Sequence, residues 1–290
     1  MPFVISHITD SHLSDGKPFF NSNFNIIHSM TLRDPPDLLI NTGDVSLNGA
    51  DHVADLIHAR SLHEALGVDW VAIPGNHDIG DNQEIARKQP TNNERRQRWL
   101  DVFGADRFLR DVPGWRLLGI NSLLLGSDIE PAASEQEAFV ADAAASLGDR
   151  RLALFLHKPL FHDTPEDREV SGHAVNPDPR ARLFAALGDV TPALVCCGHL
   201  HEYRERAHGP LHQVWAPATS FTLSDWFLQT HGGVHIVGFV RLTLHEDGRF
   251  ETLLQRPEGL VTHDLADFPE AYGDLRAIKA AIDAQKAAAE

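Results

Sequence analysis

The sequence predicts an α/β layered fold. Short apolar runs end in polar or glycine-bearing loops, amphipathic stretches of helical period separate the early runs, and the last third turns to strands joined by tight turns. In order, "FVISHI" (3–8) reads as a buried strand and 22–33 as a helix. "DLLINT" (37–42) is the second strand. Over 50–66, Val53, Leu56, Ile57, Leu62 and Leu66 recur near helical spacing. "DWVAIP" (69–74), "WRLLGIN" (115–121), "RLALFLH" (151–157) and "ALVCCG" (193–198) are further strands, with helical patterns over 93–103, 134–147 and 179–187. "LHQVWAPA" (211–218), "GGVHIVGFVRLTLHEDG" (232–248) and "FETLLQR" (250–256) read as antiparallel strands, with "EDGR" as a turn. Tyr272 to Glu290, rich in Ala, Lys, Asp and Glu, reads as an exposed helix. The chain is thus expected to hold one main domain over 1–270 and a helical tail over 271–290, with no repeat or linker.

Composition narrows the function. The net charge of -16, from 41 acidic and 25 basic residues, disfavours a nucleic-acid polymer or an anionic membrane surface as partner. It leaves an anionic small molecule open, because a bound metal reverses the local field. Cys196 and Cys197 are adjacent, so no disulfide framework is expected. Met1 to Ile8 lacks the basic and apolar pattern of a signal peptide, and no apolar run has the length of a membrane span. The expected location is the cytoplasm. Histidine, at 18 residues, is abundant.

Five predicted strands deliver ligand-capable side chains at their carboxyl ends. Asp10 and His12 follow the first strand, and Asp44 the second. Asn76, His77 and Asp78 follow the third, His157 the run at 151–157, and His199 and His201 the run at 193–198. That edge is where open α/β sheets bind ligands. Each piece alone is common in ordinary turns; together they point to a metal site. Asp10, His12, Asp44, Asn76, His157, His199 and His201 are too many for one tetrahedral ion. Two ions about 3.5–4 Å apart would use them, with Asp44 as the bridge, since it stands alone on its loop. Imidazole and carboxylate together suit Fe, Mn or Zn.

The blocks Asp10-Ser11-His12, Gly43-Asp44, Gly75-Asn76-His77-Asp78, His157 and Gly198-His199-Leu200-His201 resemble, in order and spacing, the calcineurin-like metallophosphoesterases. The likeness spans residues 3 to about 203. "GNHD", "GHLH", "GWRLLGINS" and "SEQEAFVADAAA" look most like the bacterial cyclic-nucleotide and glycerophosphodiester phosphodiesterase branch. The resemblance implies a four-layer αββα sandwich of two mixed sheets flanked by helices, with the strands after 203 in the second sheet. It implies one metal on Asp10, His12, Asp44 and His201 and a second on Asp44, Asn76, His157 and His199. His77 is left free beside the substrate, as a hydrogen-bond donor or general acid. The implied reaction is hydrolysis of a phosphodiester by a water deprotonated between the ions. Phosphomonoester or nucleotide pyrophosphate cleavage at the same centre, and a non-catalytic scaffold, are the rival readings. A homo-oligomer is compatible with this branch.

Two positions depart from the family pattern. Many members carry an acid three residues after the bridging aspartate to orient the loop histidine, and here that position is Leu47. Asn48 stands where the protein-phosphatase branch has a basic residue. Elsewhere, His7 reads as packed within its strand, Cys196 and Cys197 as packing thiols, and Asp78 as a tie within its loop. His162 is a rim or surface-turn residue. Lys158 is expected to point away from the site. Arg95, Arg96 and Arg98 are expected on a solvated helix face, and His52, His58 and His63 on an exposed one.

Overall fold

The computed structural model describes residues 1–82, 88–228 and 230–287. Its strands, in chain order, are β1 (Phe3–Ile8), β2 (Leu38–Asn41), β3 (Trp70–Ala72), β4 (Phe108–Val112), β5 (Trp115–Gly119), β6 (Arg151–Phe155) and β7 (Leu194–Cys197). They continue with β8 (Glu202–His208), β9 (Leu211–Trp215), β10 (Phe221–Thr222), β11 (Val234–His235), β12 (Phe239–Leu244), β13 (Phe250–Gln255) and β14 (His263–Asp264). The helices are α1 (Asn21–Arg33), α2 (Val53–Glu64), α3 (Asn76–Ile79), α4 (Asn93–Phe103), α5 (Ala132–Ala145), α6 (Pro177–Leu187), α7 (Pro269–Tyr272) and α8 (Leu275–Ala287).

One mixed sheet has the order β13-β12-β1-β2-β3 and the other β11-β8-β9-β7-β6-β5-β4. Strand periodicity decides how they stack. Ile5, Leu38 and Ile40 of the first sheet meet Leu117, Phe155, Cys196 and Val214 of the second in an inner core. The alternate residues point outward. Leu39 packs with Phe24 and Ile27 of α1, Leu56 of α2 and Trp99 of α4. Leu118, Leu154 and Val195 pack with Val140 of α5 and Leu183 of α6. The result is helices, sheet, sheet, helices. Strands buried on both faces read as unbroken apolar runs, which is why they were visible in the sequence.

The last hairpin is placed differently from the expectation. β12 and β13 extend the first sheet, with β12 antiparallel to β1 in the register Ile5↔Leu242. They cover the β1 edge, which would otherwise expose unpaired backbone. Among the described residues, only the strand at Leu211–Trp215 and the short β11 join the second sheet after residue 208. β8, with the sequence EYRERAH, carried no apolar signal because much of it is half-exposed and its side chains pair with charges. β4 was also unforeseen; it is an edge strand with alternating exposure.

Several surface assignments change as well. His63 is buried: its Nδ1 donates to the Ala59 carbonyl at 2.8 Å and its Nε2 faces the Asn41 amide at 3.0 Å. Burial pushes its pKa down to about 4, so it serves α2 and β2 as a neutral ring. Val53 and Ile57, which share its helix, are exposed instead. The α4 arginines are staples rather than a solvated face. Arg95 pairs with Asp51, Arg96 donates to buried Asp106 at 2.6 Å, and Arg98 reaches the Ala50 carbonyl and Glu94. In the tail, Leu275 is buried and the preceding turn is folded inward, so only the later part is an exposed helix. Among the described residues no helix is long and apolar enough to cross a membrane.

One buried amide ties α1 to the loops near the sheet edge. Asn23 Nδ2 donates to the carbonyls of Thr219, Ser220 and Val261, and its Oδ1 accepts from Val261 N. Ser220 in turn donates to the Asp10 carbonyl at 2.6 Å. Each buried polar group left without a partner costs about 1–3 kcal/mol. Asn23→Ala is therefore expected to lower the unfolding free energy by about 2–4 kcal/mol in urea titration. A loss below about 0.5 kcal/mol would contradict this role.

Candidate metal centre

Every candidate ligand lies just past the carboxyl end of a strand. Asp10 and His12 follow β1, Asp44 follows β2, Asn76 opens α3 after β3, His157 follows β6, and His199 and His201 follow β7. The loops are zipped to one another by backbone hydrogen bonds. Asp10 N donates to Gly43 O, His12 N to Asp44 O, and Gly198 N to His157 O, each at 2.9 Å. The approach is close enough to demand glycine. A Cβ on Gly75 would overlap the Asp44 carboxylate and its backbone nitrogen, and one on Gly198 would overlap Thr9 and Asp10.

Backbone conformation singles out the same residues. Among the described residues, the non-glycine positions in the left-handed region are Asp10 (φ 51°), His12 (47°), Asp44 (49°), His199 (74°) and His201 (56°). Such a conformation costs on the order of 1–3 kcal/mol at each site and persists only where the surroundings enforce it. All five are candidate ligands.

Asp44 stands at the centre. Its Oδ1 accepts from His77 N at 2.7 Å. Its Oδ2 lies 3.4 Å from His157 Nε2, 3.9 Å from His12 Nε2 and 4.0 Å from His77 Nε2. Asp10 Oδ2 accepts from Thr9 and from His199 N, while Asp10 Oδ1 is buried with no donor and faces His201 Nε2 at 3.4 Å. Asn76 Oδ1 sits 3.1 Å from His157 Nε2. Asp10, His12 and His201 form one compact group, Asp44, His157 and His199 a second, and His12, Asp44 and His77 a third that overlaps both.

The donor set fits cations. The acceptors behind the rings fix their tautomers. His157 Nδ1 donates to Thr42 O at 2.9 Å and His199 Nε2 to Gly172 O at 2.8 Å, which turns His157 Nε2 and His199 Nδ1 toward each other, 3.1 Å apart. His201 Nδ1 donates to Phe221 O at 2.8 Å, so its bare Nε2 faces His12 Nε2 at 3.3 Å. Two ring nitrogens at such distances repel unless a proton or a metal ion lies between them. The spacings also match the edge of a coordination polyhedron with bonds near 2.1 Å, about 3.0–3.4 Å.

Electrostatics agree. Burial opposes ionisation of Asp10 and Asp44, but the surrounding histidines outweigh it and hold both carboxyls below the usual range. Burial, then neighbouring imidazoles, lower His12 and His199 and keep them neutral, the state that ligates. His157 goes the other way: despite burial, Asp44 and then Asp10 raise it to about 9. The proton drawn onto its Nε2 occupies the place a cation would take.

The supporting residues fall into place around this. Asp78 ties two loops, accepting from Gly75 N (2.9 Å), Val45 N (3.2 Å), Ser46 N (3.0 Å) and Ser46 Oγ (2.5 Å). Lys158 is buried and turned away, onto Asp81 and Asn82. His7 is packed, with Nε2 2.9 Å from Thr42 Oγ1, and both cysteines are buried free thiols. His162 is partly buried and contacts the His231 ring. Leu47 gives its side chain to an apolar cluster with Phe20 and Phe221. Among the described residues, His77 has no carboxylate in hydrogen-bond range of its ring; its ring neighbours there are His12 and Tyr272, with centroids 4.9 and 4.6 Å away. Tyr272 is the site residue the sequence reading missed: its hydroxyl lies 2.5 Å from His12 Nδ1 and donates to Leu47 O at 2.9 Å. The signal was available in "FPEAYG", a proline-started, glycine-stopped single turn rather than a fraying helix.

Comparison with known proteins gives the centre its context. A curated relative from Arcobacter nitrofigilis, the probable glycerophosphodiester phosphodiesterase GpdQ, is 27% identical over 211 residues, covering 68% of this chain and 71% of its own. The 3',5'-cyclic adenosine monophosphate phosphodiesterase CpdA of Pseudomonas aeruginosa is 27% identical over 274 residues, covering 89% and 91%. Among solved structures, the purple acid phosphatase PPD1 from yellow lupin (Lupinus luteus) seeds superposes with a TM-score of 0.65 at 14% identity. That match covers 91% of this chain and 53% of the plant protein, so the chain spans about half its length, and the likeness is one of fold. The family profile described as calcineurin-like phosphoesterase matches residues 3–203, which contain every candidate ligand. With a two-cluster centre suited to a pair of cations and to phosphoester hydrolysis, the chain belongs to the calcineurin-like phosphoesterases, a family of metal-dependent hydrolases.

Proposed function

We propose that the protein hydrolyses a small phosphodiester of the cyclic-nucleotide or glycerophosphodiester class. The observation that carries the reading is Asp44 Oδ2, which lies within 4.0 Å of nitrogens from His12, His77 and His157 and in this reading would join two ions. In this reading Asp10, His12, Asp44 and His201 hold one cation, and Asp44, Asn76, His157 and His199 the other. Iron, manganese or zinc suits such a nitrogen and oxygen set. When bound, the ions supply an acidified water and offset charge on the phosphoryl oxygens.

The remaining roles belong to the chain. Asn76 brings an oxygen without a further negative charge, which favours an anionic substrate. Asp78 holds the Asn76–His77 turn against the Asp44 loop. His77 keeps 29% of its side chain exposed, and burial followed by nearby imidazoles pushes its pKa below that of an ordinary histidine. It is a neutral N–H donor set to hydrogen-bond the phosphoryl or leaving oxygen. Preference for a diester over a monoester is supported by the names of the two curated relatives and by Lys158. That ammonium is committed to Asp81 and Asn82 rather than to a dianionic phosphate. The net charge of -16 supports a small substrate over a nucleic-acid polymer, and the two unpaired thiols support a cytoplasmic setting.

Metal analysis of the purified protein, with bis-p-nitrophenyl phosphate and p-nitrophenyl phosphate as paired substrates, tests this. Higher kcat/KM on the diester is expected; a monoester preference would move the assignment to the phosphomonoesterases, and no hydrolysis with added manganese would leave a scaffold. Asp44→Ala is expected to remove both bound metal and turnover. His77→Ala is expected to slow turnover by about 10²–10³-fold at unchanged metal content. Metal loss in that variant would make His77 a ligand.

A further inference from the structure

The tail outside the family-matched region reaches the metal centre. After β14, which pairs with β10 through Phe221↔His263, the chain reaches the His12 ring of the first cluster. Leu265 and Leu275 are buried with Phe20, Leu47 and Phe221, and Phe268 packs on Phe20 at 5.3 Å between ring centroids. Lys17 Nζ donates to the Glu270 carbonyl at 2.6 Å. The single turn α7 then ends at Gly273, where φ is 97°. This strap aims Tyr272 between His12 and His77, with ring centroids 5.7 and 4.6 Å away.

The hydrogen-bond directions are fixed by chemistry. The Leu47 carbonyl can only accept, so the Tyr272 hydroxyl gives its proton there, at 2.9 Å. Its oxygen then has lone pairs to receive a proton from His12 Nδ1 at 2.5 Å. A ring protonated at Nδ1 is bare at Nε2, the atom facing His201 Nε2 at 3.3 Å and Asp44 Oδ2 at 3.9 Å. Backbone carbonyls perform this service for His157, His199 and His201; for His12 a tyrosine performs it.

We infer that Tyr272 is a positioning residue of the metal centre, one that fixes the tautomer and ring orientation of His12 and so makes the C-terminal strap part of the first cation site. The inference rests on the reading of His12 as a ligand. Loss of such an outer hydrogen-bond partner typically costs about 10–100-fold in metal affinity.

The test is titration of the chelator-stripped protein with Mn²⁺ and Co²⁺, read by calorimetry and by the visible absorption of bound Co²⁺. Tyr272→Phe keeps the ring and removes the hydroxyl. It is expected to weaken one of two binding steps by about 10–100-fold, alter the Co²⁺ spectrum of that step and leave the other step in place. The metal-free Tm should stay near that of the parent protein. In a His12→Ala background, Tyr272→Phe should produce no further loss of affinity, because its effect runs through that ring. Two steps of parental affinity in Tyr272→Phe, or an equal additional loss in the His12→Ala background, would overturn the inference. Failure of the parent protein to bind two ions would instead overturn the dinuclear reading beneath it.

Discussion

Two carboxylates, Asp10 and Asp44, are buried at the strand ends, and one oxygen of Asp10 has no hydrogen-bond partner among the described residues. Burying an ion costs several kcal/mol unless opposite charge compensates it. Most of the surrounding architecture reads as an answer to that cost. Four imidazoles turn ring nitrogens toward the pair, and a fifth group, the Asn76 amide, adds an oxygen. The left-handed backbone at five candidate-ligand positions is the geometric side of the same requirement: the side chains converge only if the loops bend sharply just past each strand.

The sheets make the convergence possible. Parallel strands from both sheets end at one edge, and the loops that leave them are zipped by backbone hydrogen bonds. Period-2 packing fixes which face of each strand enters the inner core, so a slip of one residue would reverse the faces. His63 and Asn23 act one step further out. Both are buried polar side chains that tie helices to the loops behind the centre.

Much of this was legible in the sequence because its signals are local. Doubly buried strands announce themselves as apolar runs, and Asp10, Asp44, His157 and His199 follow them directly. What escaped was set by tertiary pairing. β8 is charged because its partners are charged, and β12 belongs to the first sheet because β1 needs a neighbour. His63 resembles any helical histidine until Asn41 is seen beside it. Tyr272 is separated by 260 residues from the ring it touches, a distance no spacing rule spans.

That separation bears on how the molecule is made. Synthesis runs from the amino end, and the last proposed ligand, His201, leaves the ribosome well before β12 can pair with β1 or Tyr272 can dock. A nascent chain therefore carries all the proposed ligands while the first sheet lacks an inner strand. Closing contacts of such high sequence separation is slow. His12 and His201 are thus synthesised before the Tyr272 hydroxyl exists to contact the His12 ring, so that contact belongs to the finished polypeptide.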